Sequence, residues 1–124
     1  MKAYINVNLV TCDSAFHVYR EGLLVVEDDR IAYCGPYDEN WLGKCSERVD
    51  YEGAWIMPGL VNCHIHSAMT LLRGIRDDSN LHEWLEDYIW PAESRFTADL
   101  TTQAVQLALA EMLLSGTTTF NDMY

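Results

Sequence analysis

The sequence predicts an α/β protein in which short antiparallel strands precede the start of a parallel sheet. Short β-type runs separated by turn residues fill the first 57 residues. An apolar segment at 60–63 is then followed by stretches with helical periodicity and by a second β-type run at 117–120. A strand, a helical connection and another strand form a βαβ unit, which implies a parallel sheet with a right-handed crossover.

The first part of the chain predicts hairpins. Its β-type runs are rich in Val, Ile, Leu and Tyr, and they cover 4–10, 16–19, 23–27 and 30–34. Turn-forming pairs separate or follow them: Asp13-Ser14, Glu21-Gly22, Asp28-Asp29 and Gly35-Pro36. Residues 37–44 predict one helical turn around Trp41 and Leu42, and 48–51 and 54–57 predict further short strands.

The second part alternates strand and helix. After the strand at 60–63, residues 67–73 predict a short helix that ends at Gly74. Ser79 or Asn80 can cap the next helix, which Pro91 ends or kinks. Its apolar stripe comprises Leu81, Trp84, Leu85, Tyr88 and Ile89.

A longer helix begins at Thr97 or Asp99, runs through Leu114 and stops at Gly116. Its predicted apolar side comprises Leu100, Ala104, Leu107, Ala108 and Met112. A parallel sheet needs several strands and cover on both faces, yet the sequence stops at Tyr124, just past its second parallel strand. We therefore expect the 124 residues to be the N-terminal portion of a larger protein.

The composition disfavours several classes of partner. Lys and Arg total 8 against 19 Asp and Glu, a formal charge of -11, which disfavours nucleic acid and anionic membranes. The N-terminus lacks the pattern of a signal peptide, and no apolar stretch approaches the length of a membrane span, so we expect a soluble, cytoplasmic protein. Without a CxxC pair, reduced thiols are expected at Cys12, Cys34, Cys45 and Cys63.

Two histidines two residues apart are the most informative feature. Side chains alternate along a strand, so His64 and His66 would share one face while Ile65 points to the other. The spacing alone leaves open a surface hairpin or half of a metal site, but the position after an apolar strand and before a helix favours an active-site edge. His17 and His82 are expected to be solvated and not to supply a third ligand.

Three segments carry a resemblance to a known family: WIMPGLVNCHIHSAMTLLRG, LHEWLEDYIWPAESRFT and LALAEMLLSGTTTFNDMY. Together they resemble the opening of the amidohydrolase superfamily barrel, and more narrowly the branch of 5-methylthioadenosine and S-adenosylhomocysteine deaminases and triazine hydrolases. The resemblance implies a partial β-sandwich domain at 1–57. It implies the first βαβ unit of a (β/α)8 TIM-type barrel at 58–124, truncated there.

The resemblance also implies site residues. His64 and His66 match the first two ligands of one divalent metal ion, most often zinc, and Glu93 matches a substrate-contacting glutamate. Without the resemblance, the usual exposure of acidic residues favours a surface acid for Glu93, just after Pro91. Trp84 and Trp90 either line an aromatic pocket or belong to the core, and Asp122 has no assigned role.

The implied reaction is hydrolytic deamination of a purine nucleoside, in which the metal activates water and ammonia leaves. A third histidine, an aspartate and the proton-shuttling groups would lie beyond Tyr124, so no catalytic acid or base is expected here and the chain alone should be inactive. The full-length protein could form a homo-oligomer. Alternatives are a triazine-type chlorohydrolase, another deaminase of nitrogen heterocycles, a two-metal hydantoinase-type enzyme and a non-catalytic remnant that binds a partner.

Overall fold

The chain divides between Pro58 and Gly59 into two compact units, as seen in a computed structural model that describes residues 1–123. We call them the N-terminal unit and the C-terminal unit. The sequence placed a domain boundary after residue 57, and the assignment of the two parts to a partial β-sandwich and a barrel βαβ unit stays a prediction.

The N-terminal unit is a five-stranded sheet. It contains β1 (Lys2–Val10), β2 (Val18–Glu27), β3 (Arg30–Gly35), β4 (Glu47–Asp50) and β5 (Trp55–Ile56). The strand order is β3-β2-β1-β4, and β5 also pairs with β1. The β1-β2 and β2-β3 pairs are antiparallel, which confirms the predicted hairpins, whereas β4 and β5 run parallel to β1. A short helix, α1 (Glu39–Leu42), lies between β3 and β4 and is capped by Asp38.

The turn predicted at Glu21-Gly22 is wrong, because both residues lie within β2. Val7 pairs with Gly22 and Leu9 with Tyr19, so β2 carries one extra residue there, a β-bulge. Glu21 has a positive φ of 48°, the local conformation that resembled a turn in sequence. A Cβ at Gly22 would lie 2.8 Å from Cδ1 of Leu9, so this close approach requires glycine.

A second bulge at Asn6, with φ 52°, changes the face on which the side chains of β1 lie. Without it, residues 3, 5, 7 and 9 would share one face. Instead the buried side chains form two clusters, one of Ala3, Leu23, Val25 and Leu42 and another of Val7, Leu9 and Leu24. The sheet therefore buries apolar side chains on both faces. Simple alternation along β1 would have placed all of its buried side chains on one face.

The loop before β2 contains a hydrogen-bonded pair of a carboxylate and an imidazole with a defined pH response. The Nδ1 atom of His17 lies 2.6 Å from Oδ2 of Asp13. Hydrogen bonds from the side chain and the backbone of His17 lower the pKa of Asp13 from 3.8 to about 2. The stabilisation is therefore present above pH 3.8 and is lost as the pH falls through 2.

We expect the Asp13 carboxyl carbon to titrate in NMR with a midpoint of about 2. His17→Ala removes the side-chain hydrogen bond and should move the midpoint back toward 3.8. A midpoint near the ordinary value in the unmodified protein would show that the pair does not form in solution.

The C-terminal unit pairs two parallel strands, β6 (Leu60–Ile65) and β7 (Thr117–Asp122), which confirms the predicted parallel strand pair. Between them the chain is mainly helical. A 3₁₀ helix spans Ser67–Leu72, where the sequence predicted a short helix. The later helices are α2 (Leu81–Glu83), a π-helical turn at Trp84–Ile89, α3 (Trp90–Glu93) and α4 (Ala98–Leu114). Among the described residues, none of these helices has the length and apolar character to cross a membrane.

Capping residues set the helix starts. The Asn80 side chain accepts hydrogen bonds from the backbone of His82 and Glu83, and Thr97 accepts one from Leu100. Of the two candidates at each start, the structure thus selects Asn80 and Thr97. At the other end of α4, Gly116 adopts a φ of +85°, as a glycine stop requires.

The buried side of α4 is narrower than predicted. Its fully buried residues form one row at four-residue spacing, Ala104, Ala108 and Met112, while Leu107 is 40% exposed. The row packs on the 3₁₀ helix and β7. Small alanines allow close approach along this single row, so the neighbouring leucine remains outside the contact. In the preceding helix Ile89 is buried but Leu81 is 70% exposed, so the predicted stripe is also incomplete there.

Pro91 does not end the helix, which was one of its two predicted effects; the other, a kink, stays a prediction. The chain stays helical from Leu81 to Glu93 because Trp84–Ile89 winds as a π helix, in which Trp90 N–H bonds to the carbonyl of Leu85, five residues back. Pro91 then falls in the first turn of α3, where its missing N–H costs nothing.

Gly59 marks a close contact between the two parallel strands. A Cβ there would collide with the side chain of Thr118 in β7. We expect Gly59→Ala to lower the free energy of unfolding by about 1–3 kcal/mol, the usual cost of overpacking. Denaturant unfolding of the protein expressed from its complete reading frame measures this.

Thr118→Gly is the control, since it removes the atoms that collide. In that background Gly59→Ala should cost clearly less. An equal cost in both backgrounds would mean that the strands do not approach as closely as described.

Candidate functional site

The two histidines lie together at the carboxyl end of β6. Their ring centroids are 5.1 Å apart with an interplanar angle of 67°, and both side chains are exposed. The pairing of β6 with β7 is irregular between Asn62 and Ile65, the stretch that includes His64. Such irregularities re-aim side chains at functional edges.

Side chains and backbone outside the regular ladder hold this strand end. The Oδ1 atom of Asn62 accepts a hydrogen bond of 3.2 Å from the backbone N–H of His64. The amide of Asn121 donates to the carbonyl of Cys63 at 3.4 Å, and the N–H of Met123 donates to the carbonyl of Ile65 at 2.9 Å. The histidine backbone is thus fixed from both strands.

The distance between the rings suits a shared zinc ion. With Zn–N bonds of about 2.1 Å in a tetrahedral arrangement, two imidazole centres around one ion lie roughly 5 Å apart. His64 and His66 meet that requirement, and imidazole is a common zinc ligand. Within residues 1–123, no group of three or more His, Cys, Asp or Glu side chains is arranged to hold a metal ion.

The other two histidines lie elsewhere. His17 pairs with Asp13 in the N-terminal unit, and the ring of His82 is 81% exposed, 3.3 Å from Glu86. Neither histidine was expected from the sequence to supply a third metal ligand.

A cavity of about 270 Å³ brings His66 and Glu93 together. Glu93 is half-buried on α3, and Trp90 of the same helix also lines the cavity. The remaining lining is apolar: Met69, Leu85, Ile89 and Met123. The cavity therefore combines one imidazole, one carboxylate and one large aromatic ring within apolar walls, the composition of a small-molecule site.

The two tryptophans that the sequence offered for an aromatic pocket line different cavities. Trp90 lines the cavity beside His66, whereas Trp84 lines a different one with Leu72 and Arg73. The π-helical turn lies just before α3, the helix that carries Trp90 and Glu93, and Pro91 lies within that helix. π turns inside helices occur frequently at functional sites.

Sequence analysis missed the contact between Ser67 and Asp122. Ser67 is fully buried, and its N–H and hydroxyl both donate to the Asp122 carboxylate. One signal was available: Asp122 ends β7 and Ser67 lies two residues after β6, and the carboxyl ends of parallel strands meet at one edge.

Residues 55–124 match the profile of the amidohydrolase family. The chain belongs to the amidohydrolase family. Among its relatives, 5-methylthioadenosine/S-adenosylhomocysteine deaminase from Bacillus cytotoxicus is 44% identical over 122 residues, 98% of this chain. The protein of the same name from Bacillus cereus strain AH820 is 43% identical over 123 residues. The amidohydrolase chain spans 28% of the length of each of these relatives.

Solved structures of similar proteins agree with this family. An adenosine deaminase from Xanthomonas campestris with bound zinc superposes with a TM-score of 0.88 at 32% identity, over 99% of this chain and 28% of that one. Atrazine chlorohydrolase from Arthrobacter aurescens TC1, complexed with zinc, superposes with a TM-score of 0.83 at 23% identity. The match covers 98% of this chain and 28% of that one. This second likeness shows the fold alone. The described residues thus form a mixed sheet and helix segment that matches the N-terminal part of amidohydrolase-fold proteins.

Proposed function

We propose that this chain is the N-terminal part of a metal-dependent aminohydrolase that deaminates 5-methylthioadenosine, S-adenosylhomocysteine or a related purine nucleoside by hydrolysis. One observation carries the proposal: the strand end with the two histidines and the helix with Glu93 border a single cavity. The names of the relatives at 43–44% identity support the choice of substrate class.

In this proposal the C-terminal unit is the start of a (β/α)8 barrel, and the N-terminal unit is part of a small β-sandwich. Barrel enzymes place their sites at the carboxyl ends of the strands, where His64 and His66 lie. The superposition over nearly the whole chain supports this placement.

His64 and His66 would hold one divalent ion, and we propose zinc because the adenosine deaminase at 32% identity contains bound zinc. When bound, such an ion supplies a water molecule activated for attack at neutral pH. The histidines contribute two imidazole ligands, fixed at the strand end by the hydrogen bonds of Asn62 and Asn121.

Glu93 and Trp90 would bind the substrate. A carboxylate accepts hydrogen bonds from hydroxyl or amino donors, which ribose and purine both carry. An exposed indole face can stack on a purine ring, and the apolar walls exclude water from the rest of the base.

A catalytic zinc usually takes three protein ligands, and deamination also needs groups that move protons. The two histidines provide only part of this set. We therefore propose that residues 1–124 alone release no ammonia and that the remaining groups come from further βα units.

The test is an ammonia-release assay with zinc-loaded protein expressed from the complete reading frame. Methylthioadenosine, S-adenosylhomocysteine, adenosine and a chlorotriazine are compared in parallel. Turnover of a purine nucleoside supports the proposal, whereas release of chloride from the triazine without deamination would assign the chain to the alternative chemistry. Ammonia release by purified residues 1–124 would contradict the proposed inactivity of this segment.

A further inference from the structure

The peptide groups on both sides of His66 are held by β7 and by the following helix. The carbonyl before His66 belongs to Ile65 and accepts from Met123 N–H at 2.9 Å. The carbonyl of His66 itself accepts from Met69 N–H at 3.0 Å. The N–H in that same peptide plane belongs to Ser67, and it donates to Asp122 at 3.2 Å.

Asp122 makes the strongest of these contacts. Its two carboxylate oxygens accept from both donors of Ser67, the backbone N–H and the hydroxyl. Ser67 is fully buried, so water does not compete for these donors. Hydrogen bonds to an ionised acceptor are about twice as strong as neutral ones. A residue 55 positions away in sequence therefore fixes the backbone next to His66.

The regular pairing of β6 with β7 does not fix the backbone at the two histidines. Its register shifts between Asn62 and Ile65, and Ile65 paired with Asp122 is the last pair of the ladder. Beyond it, His66 adopts φ -112° and ψ 82°, at the change from strand to 3₁₀ helix. A rotation about the N–Cα bond would swing the imidazole away from that of His64. The Cα–C bond links the imidazole to the peptide plane that Asp122 holds, so this contact fixes the side-chain direction from the other side.

We infer that Asp122, acting through Ser67, is a positioning residue that holds His66 in the orientation needed to share a metal ion with His64. This rests on the proposed metal site, and it adds a role for a carboxylate that is not itself placed as a ligand. Residues that orient metal ligands typically change metal affinity about 10–100-fold when replaced.

The test uses protein from the complete reading frame and the metal alone as probe. Zinc affinity is measured by competition with a chromophoric chelator, and the visible spectrum of the Co²⁺ form reports ligand geometry. We expect Asp122→Asn and Asp122→Ala to weaken zinc binding about 10-fold or more and to alter the Co²⁺ spectrum. Asp78→Asn makes the same charge change on an exposed loop and should leave both unchanged.

Ser67→Ala provides a milder variant, because it removes only the hydroxyl and keeps the N–H bond to Asp122. It should weaken zinc binding several-fold. The double variant Ser67→Ala/Asp122→Ala should bind zinc no more weakly than Asp122→Ala alone, since both changes break the same contact between Ser67 and Asp122.

The possible failures are distinguishable. If the unmodified protein binds zinc and His66→Ala abolishes it, but Asp122→Asn and Ser67→Ala retain full affinity and the same Co²⁺ spectrum, the positioning role is overturned and the proposed function stands. If the unmodified protein binds neither zinc nor Co²⁺, the metal site itself fails and the positioning role fails with it.

Discussion

His66→Ala is expected to remove metal binding and to lower kcat/KM by about 10³-fold or more in the protein expressed from its complete reading frame. A bound metal ion contributes several kcal/mol to transition-state stabilisation, and each 1.4 kcal/mol is about tenfold in rate. His64→Ala should have an effect of the same order, because the two rings lie 5.1 Å apart and would share one ion. Metal analysis and steady-state kinetics on the same preparations measure both effects.

His82→Ala is the matched control, since it removes an imidazole that is 81% exposed and lies on α2 beside Glu86. It should retain the metal content and the activity of the unmodified protein. Full zinc content in both His64→Ala and His66→Ala would exclude this strand end as the metal site.

Glu93→Gln is expected to lower kcat/KM about 10–100-fold while metal content stays unchanged. Hydrogen bonds to a charged group contribute about 1.5–3 kcal/mol, and glutamine keeps the size of the side chain but loses its charge. Glu93 lines the cavity with His66 and is carried by a different element, so its loss should affect substrate and not the ion. Kinetics with methylthioadenosine, together with metal analysis, separate the two effects.

Glu86→Gln serves as the control, because Glu86 lies in the same helical stretch but is about half exposed and pairs with His82. It should leave kcat/KM unchanged. Equal kinetics for Glu93→Gln and the unmodified protein would remove Glu93 from the substrate site, and a loss of zinc from Glu93→Gln would assign it to the metal.

Local signals in the sequence predicted the strands and helix starts well. Asn80 and Thr97 cap their helices because their side chains accept bonds from N–H groups two or three residues ahead, an interaction internal to a short segment. The proximity of His64 and His66 was likewise predictable, because alternation along a strand spans only three residues.

Features that depend on partner strands were predicted less well. The turn expected at Glu21-Gly22 is a bulge, since its backbone conformation is turn-like but pairing with β1 continues through it. At Glu21-Gly22 local chemistry allowed two outcomes, and pairing with β1 selected the bulge. Pro91 is a separate, local case: it remains within helical structure because it follows a π turn and lies in the first turn of α3.

The sequence by itself determined the histidine pair, the order of strands and helices, and the resemblance that led to the amidohydrolase family. Only the tertiary structure brought Glu93 and Trp90 to one cavity with His66, separated Trp84 from it, and joined Ser67 to Asp122. The physical reason is distance along the chain. Motifs are set by neighbours a few residues apart. The cavity joins His66 to Trp90 and Glu93, and a separate contact joins Ser67 to Asp122, 55 positions away; only packing of the parallel strands and the helices between them can bring these residues together.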